Sequence, residues 1–506
     1  MSDVAHGQVH AVDPDGVEVK GLRSGSIGLL GATVIGLAST APVFSLATTI
    51  GLVVAVVGVK APAFMLLAFV PMLFVAYAYR ELNAVIPDCG TTFTWATKAF
   101  GPHAGWMGGW AVAVAGIIFL GSAAEVTGIY FFDLFKLENL AENEFAVATV
   151  GIVFIVLMTY LVYRGLQIAA WMQTVLVGLQ YVALALIAVA GLYAVYSGNG
   201  TDGSLTPQLD WLNPFDVDFG SFIEASLLCL FIYWGWDAIL AVNEETKDPE
   251  KTPGRAALIA TIILLVGYVV VTTATIAYAG VGDEGIGLSN PDNASNVFSV
   301  IALPLIGEWG TAFVLLVLLI STAASAQTTI LPTARGTLAM AVYKALPARF
   351  ASVSPKYLTP GFSTFVACAI GLTFYVGMKI ISDNFLEDSI ESISLAIAFY
   401  YALTAFSCVW YFRRESFANA KSFIFVFLLP LIGGLALTLI FFISAYQMLD
   451  PEYGLSTYFG IGGVFVIGVG SLLVGVVLML LWQWRAPAFF RGETLKHDTP
   501  VLVPDE

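Results

Sequence analysis

One acidic side chain stands inside an apolar stretch of this sequence, where a charge is costly. The stretch FIYWGWDAILAVNEETKDP covers residues 231–249. In it, Asp237 directly follows a Trp-Gly-Trp sequence. A charged side chain near the centre of a bilayer costs roughly 2.5 to 3.5 kcal/mol on insertion scales, so such residues usually face a protein or water cavity. The pattern predicts that Asp237 binds a cation or carries a proton; the alternative is that it only caps a half-helix.

The composition is that of a membrane protein with many spans. Of 506 residues, 58% are apolar and only 11% are charged, and the mean hydropathy is +0.85. The apolar stretches are long and do not alternate with polar residues, which favours helices over barrel strands. We therefore predict an all-α polytopic protein whose main partner is the lipid bilayer. The net charge of −15 argues against nucleic acid, and no obligate protein partner is evident.

The hydrophobic pattern predicts twelve transmembrane helices. They lie near residues 27–57, 62–82, 104–132, 145–163, 168–196, 218–245, 254–281, 307–341, 360–379, 387–411, 422–447 and 456–484. Only three of the 21 basic residues, Lys60, Lys136 and Lys379, fall in one alternate set of loops. The excess of Lys and Arg on the other side predicts that both termini, residues 1–24 and 486–506, are cytoplasmic and that the protein lies in the plasma membrane.

The first predicted span carries a second irregularity. In IGLLGATVIGLASTAPVFSLATTIG, residues 27–51, Pro42 has no N–H to give to a helix and crowds the preceding turn. Spans 1 and 6 would thus both be interrupted, each at the start of a block of five spans. This is typical of inverted-repeat transporters, whose broken helices meet near the midplane. The repeats would cover about 25–200 and 215–415, with spans 11 and 12 in 416–485.

Three further segments resemble the amino acid-polyamine-organocation superfamily. ELNAVIPDCGTTFTWATKAFGPHAGWMGGW, residues 81–110, is similar to the family signature between helices 2 and 3. The YWGWD core with Glu244 and Glu245 after it, and Arg335 with the following Ala-Met-Ala, complete the resemblance over 25–415. It implies a leucine-transporter-like fold with twelve helices, and a secondary active transporter that moves amino acids or related amines by alternating access.

The resemblance and the two breaks together define the candidate site. A helix N-terminus suits a carboxylate, whereas freed carbonyls and aromatic faces suit an ammonium group. The expected substrate-binding residues are Gly36, Ala38, Ser39, Thr40, Glu125, Phe231, Tyr233, Trp234, Gly235, Trp236, Asp237 and Gln327. The family's Gly-x-Gly motif falls on Gly36-Leu37-Ala38, so its second glycine is lost, which admits amines without a carboxylate. Glu125 is equally well explained as a structural acid.

Coupling has three possible explanations. The lysine that many proton-coupled relatives carry on helix 5 falls on Gln180, and an amide does not release a proton at physiological pH. Either Asp237 takes the proton, or sodium binds helix 1 carbonyls and the hydroxyls of Ser321, Thr322 and Ser325, or the protein exchanges solutes. The proton is favoured. No cofactor is expected beyond the coupling ion, and Cys89, Cys229, Cys368 and Cys408 have no metal-like or disulfide-like spacing.

Two other classes of protein fit the sequence less well. An enzyme would need a reactive cluster, but His6, His10, His103 and His497 all fall in tails or a loop. An amine-sensing receptor would normally add a soluble signalling domain, for which the tails are short. Glu244, Glu245 and Arg255 are interpreted as a cytoplasmic lock of charges. An amino acid and a polyamine remain open as substrates.

Overall fold

The computed structural model describes residues 11–12, 18–20, 22, 25–165, 170–293, 296–382 and 384–500, and these residues form a helical bundle. Its α-helices are α1 Leu29–Thr40, α2 Pro42–Val57, α3 Ala61–Val85, α4 Thr92–Phe100, α5 Pro102–Leu134, α6 Glu138–Ala141, α7 Glu144–Tyr163, α8 Ala170–Tyr196, α9 Phe219–Ile232, α10 Thr252–Ala279, α11 Val297–Val342, α12 Gly361–Ile381, α13 Phe385–Tyr411, α14 Ala420–Ser422, α15 Leu429–Gln447, α16 Gly463–Gln483 and α17 Pro487–Phe490. A 3₁₀ helix, Trp236–Glu245, follows α9, and a π-helical segment, Phe423–Leu428, precedes α15. Shorter 3₁₀ turns cover Gly58–Lys60, Leu209–Leu212, Pro291–Asn293 and Ala348–Ala351.

The strands of the described chain are two short hairpins. β1 (Ala11–Val12) pairs with β2 (Glu18–Val19), and β3 (Thr457–Tyr458) pairs with β4 (Ile461–Gly462), both antiparallel. The second hairpin lies where the last span was predicted to begin at residue 456. The helix itself begins at Gly463, so the predicted start was wrong by seven residues.

Eleven helical stretches in the described chain are long and apolar enough to cross a membrane. The first, Leu29–Val85, has 57 residues. It would be about 85 Å long as one straight helix, against a hydrocarbon thickness of about 30 Å. The turn at Gly58–Lys60 divides it into α1–α2 and α3, so it holds two predicted spans. The all-helical polytopic fold is confirmed; the count of twelve and the five-plus-five inverted repeat stay predictions.

The predicted interruption of span 1 lies at a single residue. α1 ends at Thr40, Ala41 has a left-handed backbone with φ 44° and ψ 66°, and Pro42 begins α2. Proline suits the first position of a helix because the N–H that it lacks would have no partner there. Two carbonyls freed by the break are satisfied by hydroxyls, since Ser325 donates to Ser39 O at 2.7 Å and Ser45 donates to Thr40 O at 2.6 Å.

The predicted interruption of span 6 is also present. α9 ends at Ile232, whose carbonyl accepts a hydrogen bond from the Tyr268 hydroxyl at 2.7 Å. Gly235 then has φ 112°, a conformation that side-chain-bearing residues rarely adopt. The two breaks touch at this glycine, because a Cβ there would lie 2.8 Å from the carbonyl carbon of Ser39 and 3.0 Å from Thr40 N.

The described parts of both predicted tails pack against the helices. Lys20 is 6% exposed, and the backbone of Ser26 and Ile27 donates to the Glu245 carbonyl. At the same end of the bundle, Phe489 of α17 stacks on Phe93 with ring centroids 5.6 Å apart. The terminal segments are therefore part of the packed structure near the ends of α3 and α11.

Candidate functional site

A small cavity lies where the two breaks meet. It has a volume of about 10 Å³ and is lined by Ser39, Val112, Gly116, Trp234, Gly235, Asp237, Ala238, Thr329, Pro332, Thr333 and Tyr400. A space of that size holds roughly one water molecule. The site is therefore closed in this conformation, and a solute larger than water would enter only after the surrounding helices move.

Asp237 is the anionic group of this cavity, and two tyrosines of α13 hold it. The Tyr401 hydroxyl donates to its Oδ1 at 2.9 Å, and the Tyr400 hydroxyl donates to its Oδ2 at 3.0 Å. The indole N–H of Trp234 donates in turn to Tyr400 Oη at 2.5 Å. No Lys or Arg in the described part of the chain forms an ion pair with Asp237. A carboxylate that has hydrogen bonds but no counter-ion can accept a proton or an ammonium group.

Sequence reasoning missed the tyrosines. Tyr400 and Tyr401 are adjacent on α13, and Tyr79 of α3 packs edge-on against Tyr401 at 5.6 Å. All three side chains are at most 1% exposed. The adjacent tyrosines in an apolar predicted span only weakly indicated a binding site, because tyrosines also occur at membrane interfaces.

Of the four predicted aromatic walls, only Trp234 lines the cavity. Trp236 is fully buried between Tyr79 and Tyr401, at centroid distances of 5.1 and 5.3 Å. The Tyr233 hydroxyl donates to Met65 O at 2.9 Å, and Phe231 packs against Phe44 at 6.3 Å. These three rings pack around the break and do not line the cavity.

The helix 1 candidates lie beside the same break. Ser39 lines the cavity, and Gly36 lies close to the Trp236 carbonyl, 3.6 Å from the position that a Cβ at Gly36 would take. Ala38 is fully buried, and the Thr40 hydroxyl donates to Leu37 O at 2.8 Å within its own helix. Only Ser39 of these residues thus contacts the cavity in the closed conformation.

The proposed ion-coupling hydroxyls divide into two groups. Ser321 and Ser325 face helix 1: Phe44 N donates to Ser321 Oγ at 3.4 Å, and Ser325 donates to the Ser39 carbonyl. Thr322 instead donates to Leu318 O of its own helix at 2.9 Å. Ser321 donates to Gln180 Oε1 at 2.7 Å, and the buried Nε2 of Gln180 has no partner in the part of the chain that the structure describes. The amide at the helix 5 position is thus linked to helix 1 through a serine.

Two predicted substrate residues lie apart from the cavity. Glu125 accepts from the Tyr375 hydroxyl at 2.8 Å and pairs with Lys379 at 3.1 Å. The amide of Gln327 lies 3.8 Å from the Met158 sulfur. The geometry of Glu125 matches the structural alternative given above, because its charge is already balanced by a lysine.

A buried cluster of charges closes the end of the bundle that carries both terminal segments. Lys20 Nζ lies 2.6 Å from Asp88 Oδ2 and 2.7 Å from Glu244 Oε1, and the Tyr343 hydroxyl also donates to Asp88, at 2.8 Å. Burial alone would favour neutral groups. The attraction between the ammonium and the carboxylates outweighs this effect of burial. The pKa of Lys20 is therefore raised well above its usual value, and the pKa of Asp88 is lowered.

The charge lock predicted from Glu244, Glu245 and Arg255 has different partners. Glu244 pairs with Lys20, and Glu245 pairs with Arg335, whose Nε lies 2.7 Å from the carboxylate. Arg255 lines a separate cavity instead. Including Arg255 was wrong, because within the described chain the partners of the two glutamates are Lys20 and Arg335. Asp88, Cys89 and Glu244 bring three possible metal-ligand atoms within 4.8 Å of one another, but the Lys20 ammonium contacts all three.

Interrupted helices that meet at a partly buried carboxylate, inside a multi-pass helical bundle, are typical of membrane permeases. The chain belongs to the amino acid permease family, whose family model matches residues 27–473. It is 30% identical over 254 residues to the low-affinity putrescine importer PlaP of Escherichia coli K12, covering 50% of this chain and 54% of that protein.

Two other relatives carry amino acid names. The branched-chain amino acid permease BcaP of Lactococcus lactis is 29% identical over 226 residues, which cover 41% of this chain and 47% of that protein. The serine/threonine exchanger SteT of Bacillus subtilis is 25% identical over 389 residues, covering 76% and 82%. The chain thus spans about half the length of PlaP and BcaP.

We expect Gly235→Ala to destabilise the protein and to abolish transport. A methyl group there meets the Ser39 backbone at 2.8 Å, and the left-handed conformation alone costs roughly 1 to 2 kcal/mol for an alanine. The measurement is the melting temperature in detergent, together with uptake. Gly377→Ala is the control, since a Cβ at Gly377 meets nothing within 4 Å. Equal melting temperatures for the two variants would contradict the close contact of the breaks.

Proposed function

We propose that this protein is a secondary active transporter that moves amino acids or related amines, polyamines included, across the plasma membrane by alternating access. The observation that carries the proposal is Asp237, a carboxylate at the meeting point of two broken helices with two tyrosine hydroxyls and no basic partner in the described chain. A site of this kind attracts a positively charged nitrogen.

The substrate's ammonium group binds Asp237 in this proposal. The Ser39 backbone and the backbone of Gly36, Ala38 and Thr40 supply further polar groups once the helices open. Trp234, the aromatic side chain that lines the cavity from the same break, adds cation–π attraction. Glu125 and Gln327 receive no role at this step, because both are engaged elsewhere.

The names of the relatives support both substrate classes. PlaP is named as a putrescine importer, whereas BcaP and SteT are named for amino acids. The loss of the second glycine of the helix 1 motif and the uncompensated acid favour a cationic amine. A neutral amino acid, whose ammonium Asp237 would also bind, is the second candidate.

We test this function by reconstituting the purified protein into proteoliposomes and measuring accumulation of labelled putrescine, branched-chain amino acids and serine. A thermal-shift screen of the same compounds selects the ligand first. Accumulation against a gradient supports a transporter. Ligand-dependent stabilisation without any flux would instead favour the amine-sensing receptor.

Proton coupling through Asp237 gives a separate expected result. An inside-alkaline pH gradient drives uptake in sodium-free medium, and Ser325→Ala lowers the rate without removing the pH dependence. The reason is that the Ser325 hydroxyl donates a hydrogen bond to the Ser39 carbonyl but does not ionise at physiological pH. Uptake that requires sodium and is lost in Ser325→Ala would support the sodium alternative, and flux only against internal substrate would support exchange.

Orientation completes the proposal. In this proposal both termini lie in the cytoplasm, which the excess of Lys and Arg on that side of the predicted spans supports. The cluster of Lys20, Asp88 and Glu244 then serves as the cytoplasmic gate, which must separate before substrate leaves inward. Cysteine labelling from either side of sealed vesicles measures this orientation.

A further inference from the structure

A second cavity lies at the end of the bundle that carries the terminal segments, away from the substrate site. It has a volume of about 350 Å³ and lies between the end of α3, the start of α10 and the segment that leads into α15. Its lining is Tyr77, Arg80, Glu81, Ala84, Glu250, Lys251, Arg255, Lys421 and Phe425. Four cationic side chains thus face two acidic ones, in a protein whose overall charge is −15.

The cations differ in how far they are already paired. Arg80 is bonded to Glu81, with Nε to Oε1 at 2.9 Å, and its guanidinium lies 4.8 Å from the Tyr77 ring centre. Lys251 has one distant partner, Asp248, at 3.7 Å. Within the described residues neither Arg255 nor Lys421 forms an ion pair. Two unpaired cations therefore converge on one cavity and leave a site for an anion.

An exposed apolar surface begins at the same cavity. Ile424, next to the lining residue Phe425, is 39% exposed. Along α15 the exposed residues are Ile432, Leu435, Leu439 and Phe442, at 44%, 49%, 60% and 65%. Their spacing of three and four residues puts them on one face of the helix. Residues Ala420–Gln447 form a candidate membrane span, so this face meets the bilayer, and a lipid whose headgroup occupied the cavity would have its acyl chain beside it.

We propose that this cavity binds the phosphate headgroup of an anionic phospholipid, whose acyl chain packs on the exposed face of α15. Arg255 and Lys421 contact the phosphate, and Arg80 forms the cationic and aromatic floor with Tyr77. The phosphate diester is the chemistry that is recognised. We assign it to a membrane lipid because the cavity adjoins a bilayer-facing helix, and free phosphate is the alternative that the test distinguishes.

The test measures lipid binding to the full-length protein in detergent. Phosphatidylglycerol and phosphatidylcholine are titrated separately, and the melting temperature is recorded. We expect phosphatidylglycerol to bind more tightly. Arg255→Gln/Lys421→Gln should weaken its binding by about thirtyfold, because each basic residue near an anionic surface contributes roughly a factor of five.

The controls separate a built site from general charge attraction. Lys247→Gln/Arg414→Gln removes the same two charges from exposed positions outside the cavity lining and should keep the lipid preference. Arg255→Lys/Lys421→Arg keeps the charge and should bind as the wild type does. If the double variant fails to fold in phosphatidylcholine, the same lipid titration is done with the single variant Lys421→Gln, which changes an exposed side chain.

Three results would overturn the proposal. The first is equal binding of the two lipids by the wild type. The second is an equal loss in the cavity variant and in the Lys247→Gln/Arg414→Gln control, which would indicate diffuse attraction. The third is protection by glycerol phosphate or inorganic phosphate at the same concentration as the lipid, which would indicate a small-anion site. Transport plays no part in the readout, so the outcome is independent of the proposed function.

Discussion

Asp237→Asn should lower uptake at subsaturating substrate by roughly 100-fold or more, while the protein still folds. The change removes the charge and keeps the shape of the side chain, and the amide still accepts from one tyrosine. Leaving one charge of a close buried pair without its partner costs about 2 to 5 kcal/mol, which sets the size of the effect. The measurements are uptake into proteoliposomes and ligand-induced thermal shift, which report transport and binding separately.

Two neighbouring variants sharpen this result. Tyr401→Phe removes the hydroxyl that donates to Asp237 Oδ1 at 2.9 Å but keeps the ring against Trp236. It should weaken binding much less than Asp237→Asn, because one neutral hydrogen bond contributes only about 0.5 to 1.5 kcal/mol. Glu125→Gln should leave the substrate's KM unchanged, since Lys379 already balances that acid. Retained, pH-dependent uptake by Asp237→Asn would reject both the binding role and the proton role.

The two helix breaks could be predicted from the sequence because their causes are local. Pro42 lacks an N–H, and Gly235 alone admits a φ of 112° without strain, so each break follows from the residue at its own position. The charge of Asp237 in an apolar stretch is equally local. These features placed the candidate site between residues 38–42 and 234–236, where the cavity lies.

The partners of Asp237 and Lys20 could not be predicted in the same way. Tyr401 is 164 positions away from Asp237 in the chain, and Glu244 is 224 positions away from Lys20. Such pairs depend on which helix faces which, and periodicity says only that one face is buried. Lys20 also lies in a polar segment for which the sequence predicts a solvent-exposed tail, although its side chain is only 1% exposed.

Lys20→Gln should open the end of the bundle that carries the terminal segments. The lysine separates Asp88 and Glu244, both buried, and Glu244 Oε2 has no hydrogen-bond partner among the described residues. Without the ammonium, two buried carboxylates remain within 4.8 Å of each other. Removing one partner of a buried ion pair typically costs about 3 to 5 kcal/mol. If that cost falls on the closed conformation alone, the ratio of open to closed protein rises by about 100-fold or more.

Cys89 offers a direct measurement of this opening. Its sulfur lies 3.7 Å from Lys20 Nζ, its side chain is fully buried, and burial raises the pKa of the thiol, so it is unreactive while the cluster is closed. In a protein whose only thiol is Cys89, Lys20→Gln should therefore increase the rate of maleimide labelling by about two orders of magnitude, in line with the cost of an unpaired buried charge.

Lys60→Gln is the matched control for this experiment. Lys60 is 7% exposed, close to the 6% of Lys20, and it pairs with Asp210 at 2.5 Å on the linker that precedes α9, far from Cys89 in the fold. The Asp210 side chain is 62% exposed, so losing that pair should cost little stability and should leave the thiol buried. If both variants label alike, the increase reports general loosening and Lys20 is not a gate. If Lys20→Gln labels no faster than the wild type while its melting temperature falls, the cluster stabilises the open and closed conformations equally. The Glu245–Arg335 pair is then the next gate to test.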